Sequence, residues 1–219
     1  MKARATRKKI GQSDQKHNIL RSGENVFARK GFHVATLQEI AKSANLAKGT
    51  IYLHFTSKKQ LFVSVIEEKL EILLKEIEQQ LDESDSPLEN IRKATRTHLG
   101  FLEQNKDFFH ILQGLFSEFK RDMRSELVER VIRKNATYVK LIQALLEKAI
   151  EQHEIRALDA EKLAVLLVGM VHSLTFNWIA KQEKESLLAD HDLAWEVFLG
   201  GVRAGPTTEH AAFQGGKPC

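Results

Sequence analysis

Two short apolar stripes flank a single asparagine, and this pair constrains the fold more than any other feature. Leu37, Ile40, Ala41 and Ala44 fall at i, i+3, i+4, i+7, and Ala47, Ile51 and Phe55 fall at i, i+4, i+8. Each stripe is only about two helical turns long. Asn45 lies between them, and asparagine tolerates the left-handed backbone that a tight turn needs. Upstream, Thr36-Leu37-Gln38-Glu39 has the Thr-x-x-Glu form of a capping box, which fixes where the first stripe becomes a helix. Two short helices joined so tightly make a helix-turn-helix. A longer helix over about 13–30 precedes them, with Ile19, Gly23, Val26 and Phe27 as its inward stripe and Gly31 suited to its C′ position.

The second short helix is poorly composed for folding alone. Gly49 and Thr50 are adjacent weak helix formers, and Lys48, Tyr52 and His54 surround them. Contact explains what propensity does not. In a helix-turn-helix the second helix lies in the DNA major groove. Ala47, Ile51 and Phe55 are then its expected anchor. Gly49 lets the backbone approach the duplex, and Lys48, Thr50, Tyr52 and His54 supply donors for phosphates and groove edges. Charge agrees with this expectation. Residues 1–60 hold 13 Lys and Arg against 3 Asp and Glu, a net of +10, whereas residues 61–219 hold 20 against 26, a net of −6. A basic end on an acidic body predicts an anionic partner, double-stranded DNA before a membrane.

The stretch ILRSGENVFARKGFHVATLQEIAKSANLAKGTIYLHFTSKKQLF, within 15–62, resembles the DNA-binding domain of the TetR family of bacterial repressors. The family pattern has a Gly-Phe-type turn, a Thr before the second helix, a Lys-Gly-Thr-aromatic-Tyr-x-His-Phe-like run, and Ser-Lys. Nearly all of it stands here, over about 48 residues; the remainder of the chain is similar only in length and helical layout. The resemblance implies an all-α homodimer that binds a palindromic operator and leaves it when a small effector binds. Carried over by position, Thr36, Lys48, Thr50, Tyr52 and His54 would meet phosphate or groove edge. Lys59 would meet a flanking phosphate, and Gln38 a base or a phosphate. Two positions depart from the pattern: Asn45 stands where the family often has Gly, and Ala47 where it often has Ser.

Elsewhere the pattern is helical throughout, with only three prolines in 219 residues. Ser57-Lys58-Lys59-Gln60 opens a helix over about 58–82, and Ser86-Pro87-Leu88-Glu89 opens one over about 87–105. KDFFHILQGLF forms a short apolar helix. Further helices are predicted over about 122–153, 160–183 and 192–202. The expected architecture is all-α with about nine helices. It comprises a disordered basic arm (1–11), a helix-turn-helix domain (12–57), a helical ligand-binding and dimerisation domain (58–203) and a disordered tail (204–219).

The acidic body must then pair with a copy and hold an effector. Helix 160–183 is apolar nearly all round, which predicts burial on both sides. Gly169 and Ser173 on it, with Ala194, Val197, Phe198 and Gly201 on the last helix, are the expected dimer interface. Apolar walls carrying a few polar groups suit a ligand cavity. The candidates are Thr95, His98, Phe101, Phe109, His110, His172, Phe176 and Trp178, and the expected effector is a small hydrophobic or amphipathic molecule. Polar residues interrupt the apolar run 163–180, so no membrane span is expected. The sole cysteine, Cys219, and the absence of a signal-peptide pattern suit the cytoplasm. No phosphate loop, His-Glu-x-x-His or Gly-x-Ser-x-Gly occurs, so neither enzyme, cofactor nor metal site is expected. The competing readings are a DNA-binding protein with a ligand-independent role, such as nucleoid organisation, and a helical ligand-binding module whose basic end is incidental.

Overall fold

The computed structural model describes the backbone of residues 2–118, 126–181 and 185–203, and side chains from residue 14 onward except 116–118. Among these residues there are nine α-helices and no strand. Helix α1 runs Lys2–Val34. It therefore includes the basic segment 1–11 expected as a disordered arm, from Lys2 on. Lys, Arg and Ala favour helix, and no proline interrupts them. Gly31 breaks the regular path at φ 71°, ψ 171°, a conformation open to glycine, and one further turn follows it. The tail 204–219 lies outside the described residues, as does the first predicted turn of the 122–153 helix.

Helix α2 spans Leu37–Ser43 and α3 spans Lys48–Tyr52. The capping box forms as the sequence predicts: the Thr36 hydroxyl accepts from Glu39 N, and the Glu39 carboxylate accepts from Thr36 N. Asn45 takes φ 55° in the turn. Ile19, Phe27, Ile40, Ile51 and Phe55 close this small core, and it continues without a gap into α4, Lys58–Gln80, through Leu61 and Phe62. Gly23 lets α1 and α4 approach closely, since a Cβ there would stand 3.3 Å from Val65 Cγ2. At the start of α4 the Ser57 hydroxyl accepts from Gln60 N, but the Gln60 amide reaches back to Thr56 N rather than to Ser57 N.

The body comprises α5 (Pro87–Gln104), α6 (Lys106–Glu118), α7 (described over Glu126–Glu151), α8 (Ala160–Ala180) and α9 (His191–Val202), with a 3₁₀ turn at Leu187–Asp190 before α9. Ser86 and Asp159 cap α5 and α8. Helix α4 is bolted on two sides. Lys69 Nζ pairs with Glu24 of α1 at 2.9 Å and donates to Asn105 Oδ1 at 2.8 Å, and Arg130 of α7 pairs with Glu67 at 2.7 Å. Helix α6 packs chiefly on α1, so the body touches the DNA-binding end through more than the connecting helix. Helix α8 is long and apolar enough to cross a membrane by composition, yet Ala164, Leu167, Val168, Val171 and Trp178 pack into the chain's own core. Its opposite side, with Val165, Leu166 and Phe176, is exposed in the protomer, because only one layer of helices covers it there.

Candidate nucleic-acid interface and effector site

The exposed edge of the helix-turn-helix is built around α3. Ile51 and Phe55 anchor it, with Leu46 partly buried beside them. Ala47 does not join them. It is the N-cap, extended at φ −70°, ψ 144°, and exposed, because the helix starts one residue after it. Gly49 is exposed, and a Cβ there would meet nothing within 4 Å. The fold itself therefore does not require glycine at this point of a helix. Tyr52 is 50% exposed, although an aromatic ring of its size could be buried. Lys48, Gln38 and Lys42 border one shallow cleft between α2 and α3, of about 560 Å³.

The other predicted contacts are placed less openly. Thr50 and His54 are half-buried, and His54 Nε2 lies 3.0 Å from Gln15 Oε1 of α1, which fixes the ring. Thr36 is exposed while its hydroxyl serves the capping box. Glu39 also holds Lys30, and the bonds from Lys30 and then Thr36 keep its carboxyl below the ordinary value. Lys59 is half-buried on the first turn of α4. Its neighbour Lys58 turns inward, donating to the carbonyls of His33 and Ala35 at 3.0 Å with Phe32 beneath it at 4.6 Å.

In the body, the structure brings together two predicted residues and one that was not predicted. The His98 ring of α5 meets Tyr138 of α7 at 4.7 Å between centroids and His172 of α8 at 5.6 Å, both edge-on. His98 is 3% exposed and Tyr138 2%. Among the described residues, the buried side-chain polar atoms without a hydrogen-bond partner are His98 Nδ1 and Tyr138 Oη. Leaving such a group unsatisfied costs about 1–3 kcal/mol. Burial first, and then the nearby His172, lowers the His98 pKa well below the usual value. Burial alone lowers that of His172 and raises that of Tyr138. His172 is half-buried and opens onto a groove of about 380 Å³ between α6 and α8, lined also by Phe109, Leu112, Gln113, Ser173 and Phe176.

The remaining effector candidates do not reach this point. The Thr95 hydroxyl is engaged by Ile91 O at 3.0 Å and His191 Nε2 at 3.1 Å, in a separate buried contact. Phe101 packs on Phe108 in the core. His110 is exposed, because α6 turns Phe108, Phe109 and Ile111 inward and leaves position 110 outside. Trp178 donates its indole N–H to Glu185 O and secures the link from α8 to the 3₁₀ turn.

The predicted dimer residues divide in the same way. Gly169, Ser173, Ala194 and Val197 line one shallow apolar groove with Leu166 and Leu193. Leu166, Leu193 and Val197 stand 62%, 64% and 61% exposed. Gly201 is exposed beyond the groove. Phe198 is buried instead and stacks on Trp195 at 5.8 Å, so α9 has an inner apolar face as well as an outer one.

Comparison with known proteins identifies both halves of this architecture. The profile described as bacterial regulatory proteins, tetR family, matches residues 19–65, and that described as tetracyclin repressor-like, C-terminal domain, matches residues 84–182. The uncharacterised HTH-type transcriptional regulator YhgD of Bacillus subtilis is 30% identical over 169 residues, 75% of this chain and 84% of that one. The fatty acid metabolism regulator protein of the same organism is 24% identical over 185 residues, 84% and 93% of the two chains. The nucleoid occlusion factor SlmA of Vibrio cholerae is 26% identical over 203 residues, 91% and 100%. Among solved structures, the transcriptional regulator FadR from Bacillus subtilis in complex with stearoyl-CoA superposes with a TM-score of 0.76 at 23% identity, covering 85% of this chain and 99% of that one. The helix-turn-helix, the helical body and these matches lead to one assignment: the chain belongs to the TetR family of bacterial transcriptional regulators.

Proposed function

We propose that this regulator is a repressor that binds a palindromic operator as a homodimer and is released by a small amphipathic effector. The observation that carries the DNA-binding part is α3 itself. Gly49 has no steric neighbour among the described residues and Tyr52 is held in water, so a partner surface outside the protein explains both. Lys48, Tyr52, Thr50 and Gly49 face the duplex, with Gln38, Thr36 and Lys59 toward the flanking backbone and His54 oriented by Gln15. Two-fold symmetry sets two such helices about 34–36 Å apart, one turn of DNA. The apolar groove on α8 and α9 is the pairing surface, and the cytoplasm, where the DNA is, is the working compartment.

The effector binds among α5, α6, α7 and α8, at the groove lined by Phe109, His172 and Phe176. The relative named fatty acid metabolism regulator protein and the FadR structure in complex with stearoyl-CoA support a fatty acyl effector. A ligand there acts on the DNA-binding end through α4 and through α6, which rests on α1. Linkage makes the effect reciprocal: operator DNA lowers effector affinity by the factor by which effector lowers operator affinity. The test uses an operator selected from random duplex DNA. Calorimetry then measures palmitoyl-CoA binding with and without it. Equal affinity in both states contradicts release by this effector. Weak sequence selection with DNA binding indifferent to palmitoyl-CoA favours the second reading, ligand-independent nucleoid organisation, for which the relationship to SlmA speaks.

A further inference from the structure

We infer that His98, Tyr138 and His172 form a recognition node that takes an uncharged oxygen function on the effector: a carbonyl or hydroxyl carried by an aliphatic chain. The inference deepens the effector site proposed above and rests on it. Buried polar atoms in folded proteins are hydrogen-bonded almost without exception, and exceptions call for an explanation. Here both orphan atoms among the described residues belong to one ring pair, His98 and Tyr138, at 4.7 Å. Three different helices, α5, α7 and α8, supply the node, so no local turn or cap requires these residues. His172 joins it to the outside, since the same ring touches His98 and lines the groove.

The chemistry of the ligand follows from what surrounds the node. The phenol offers an O–H donor, and the imidazole offers a donor or an acceptor according to its tautomer. A carbonyl oxygen can accept from both, and a hydroxyl can complete either pattern. Among the described residues, no Lys or Arg lines the groove to meet a carboxylate or phosphate. Burial of all three residues, and for His98 also the nearby His172, accounts for their perturbed protonation, with no described Lys, Arg, Asp or Glu contributing. Phe109, Leu112 and Phe176 make the approach apolar, which suits the chain that carries the oxygen.

Tyr138→Phe removes one oxygen and keeps the ring, so it separates recognition from packing. The probes are decan-2-one, decan-1-ol, decanoate and butylbenzene, with binding followed by calorimetry at pH 7.5. The expected result is a loss of about tenfold in affinity for the ketone and the alcohol in the variant, the scale of one hydrogen bond. Butylbenzene binding stays unchanged, and the melting temperature without ligand is equal or higher because an unpaired hydroxyl has gone. His98→Gln repeats the test from the other side of the node. Unchanged ketone and alcohol affinity in Tyr138→Phe, equal losses for butylbenzene, tighter wild-type binding of decanoate than of decanol, a lowered melting temperature, or no binding by any probe overturns the inference. Operator release is measured in parallel. Release by palmitoyl-CoA with equal potency from wild type and Tyr138→Phe sinks the node and leaves the repressor reading standing. Probe binding that depends on Tyr138 but never alters operator affinity does the reverse.

Discussion

Val197→Asp tests the pairing surface most directly. Val197 stands 61% exposed on α9, beside Leu193 at 64% and across the groove from Leu166 at 62%. Full burial of a valine side chain is worth about 1.5–3 kcal/mol, so covering the exposed part contributes about 1–2 kcal/mol per protomer. A two-fold interface contains the residue twice, which doubles the figure to about 2–4 kcal/mol. The aspartate adds desolvation of two carboxylates with no cation lining the groove among the described residues, several kcal/mol per ion. The combined loss weakens association by at least three orders of magnitude. Val197 is outside the protomer core, so the monomer keeps its helix content. Sedimentation equilibrium across a concentration series, with far-ultraviolet circular dichroism on the same samples, reads both quantities. An undiminished dimer at nanomolar concentration refutes the assignment of this face, and a variant without helical signal refutes the claim that Val197 is dispensable to the protomer.

Lys48→Ala and Tyr52→Ala should each weaken operator binding about tenfold while leaving the melting temperature unchanged, since both side chains are exposed. Lys48→Ala should also flatten the salt dependence by about 0.9 in log–log slope for one lost phosphate contact; anisotropy titrations at several salt concentrations check both, and wild-type affinity in both variants removes α3 as the reading helix. The buried histidines give a pH dependence. The folded-state pKa values of His98 and His172 are both lowered from 6.5, so the unfolded chain binds more protons below that value. The stability they support is complete above about pH 6.5 and falls as pH drops below it, by up to about 1.4 kcal/mol per pH unit for each excess proton. Melting temperatures between pH 8 and 5 should decline in that window, less steeply in His98→Gln; an identical slope in the variant contradicts the assignment.

The helix-turn-helix was legible because its information is local. A capping box, one asparagine and two stripes within 20 residues fix three elements and their crossing. Ala47 departs from the stripe because the stripe runs through the cap: spacing of four suits a helix, but the helix begins at Lys48 and the preceding residue faces water. Phe198 faces the protomer core rather than the outer groove, because α9 is apolar on both faces and its stripe does not say which one faces inward. His110 lies among apolar neighbours in sequence, yet each step along a helix turns about 100°, which carries it to the outer face. The node was only half visible. His98 and His172 are conspicuous on apolar helices, but Tyr138 sits 40 residues beyond His98 on a helix whose stripe reads as ordinary core, and no sequence pattern marks a hydroxyl that lacks a partner.

Helix α4 joins the body to the DNA-binding end along the chain, and the structure adds a second contact between them. Helix α6 rests on α1 while its other side lines the groove with α8, so on the proposed mechanism an effector that parts α6 from α8 presses on the DNA-binding end directly. The two routes meet at Lys69. Its ammonium, on α4, pairs with Glu24 of α1 and donates to Asn105, the residue between α5 and α6. The Lys69 and Glu24 side chains are only 16% and 14% exposed, so solvent screens the contact little. Shifting α6 moves Asn105, alters one bond to Lys69 and changes the balance of the other. A hydrogen bond to a charged group is worth about 1.5–3 kcal/mol, and allosteric coupling between two sites is ordinarily about 1–3 kcal/mol. On the proposed mechanism, exchange of that one contact is therefore enough to carry the coupling, without any element of the body having to unfold.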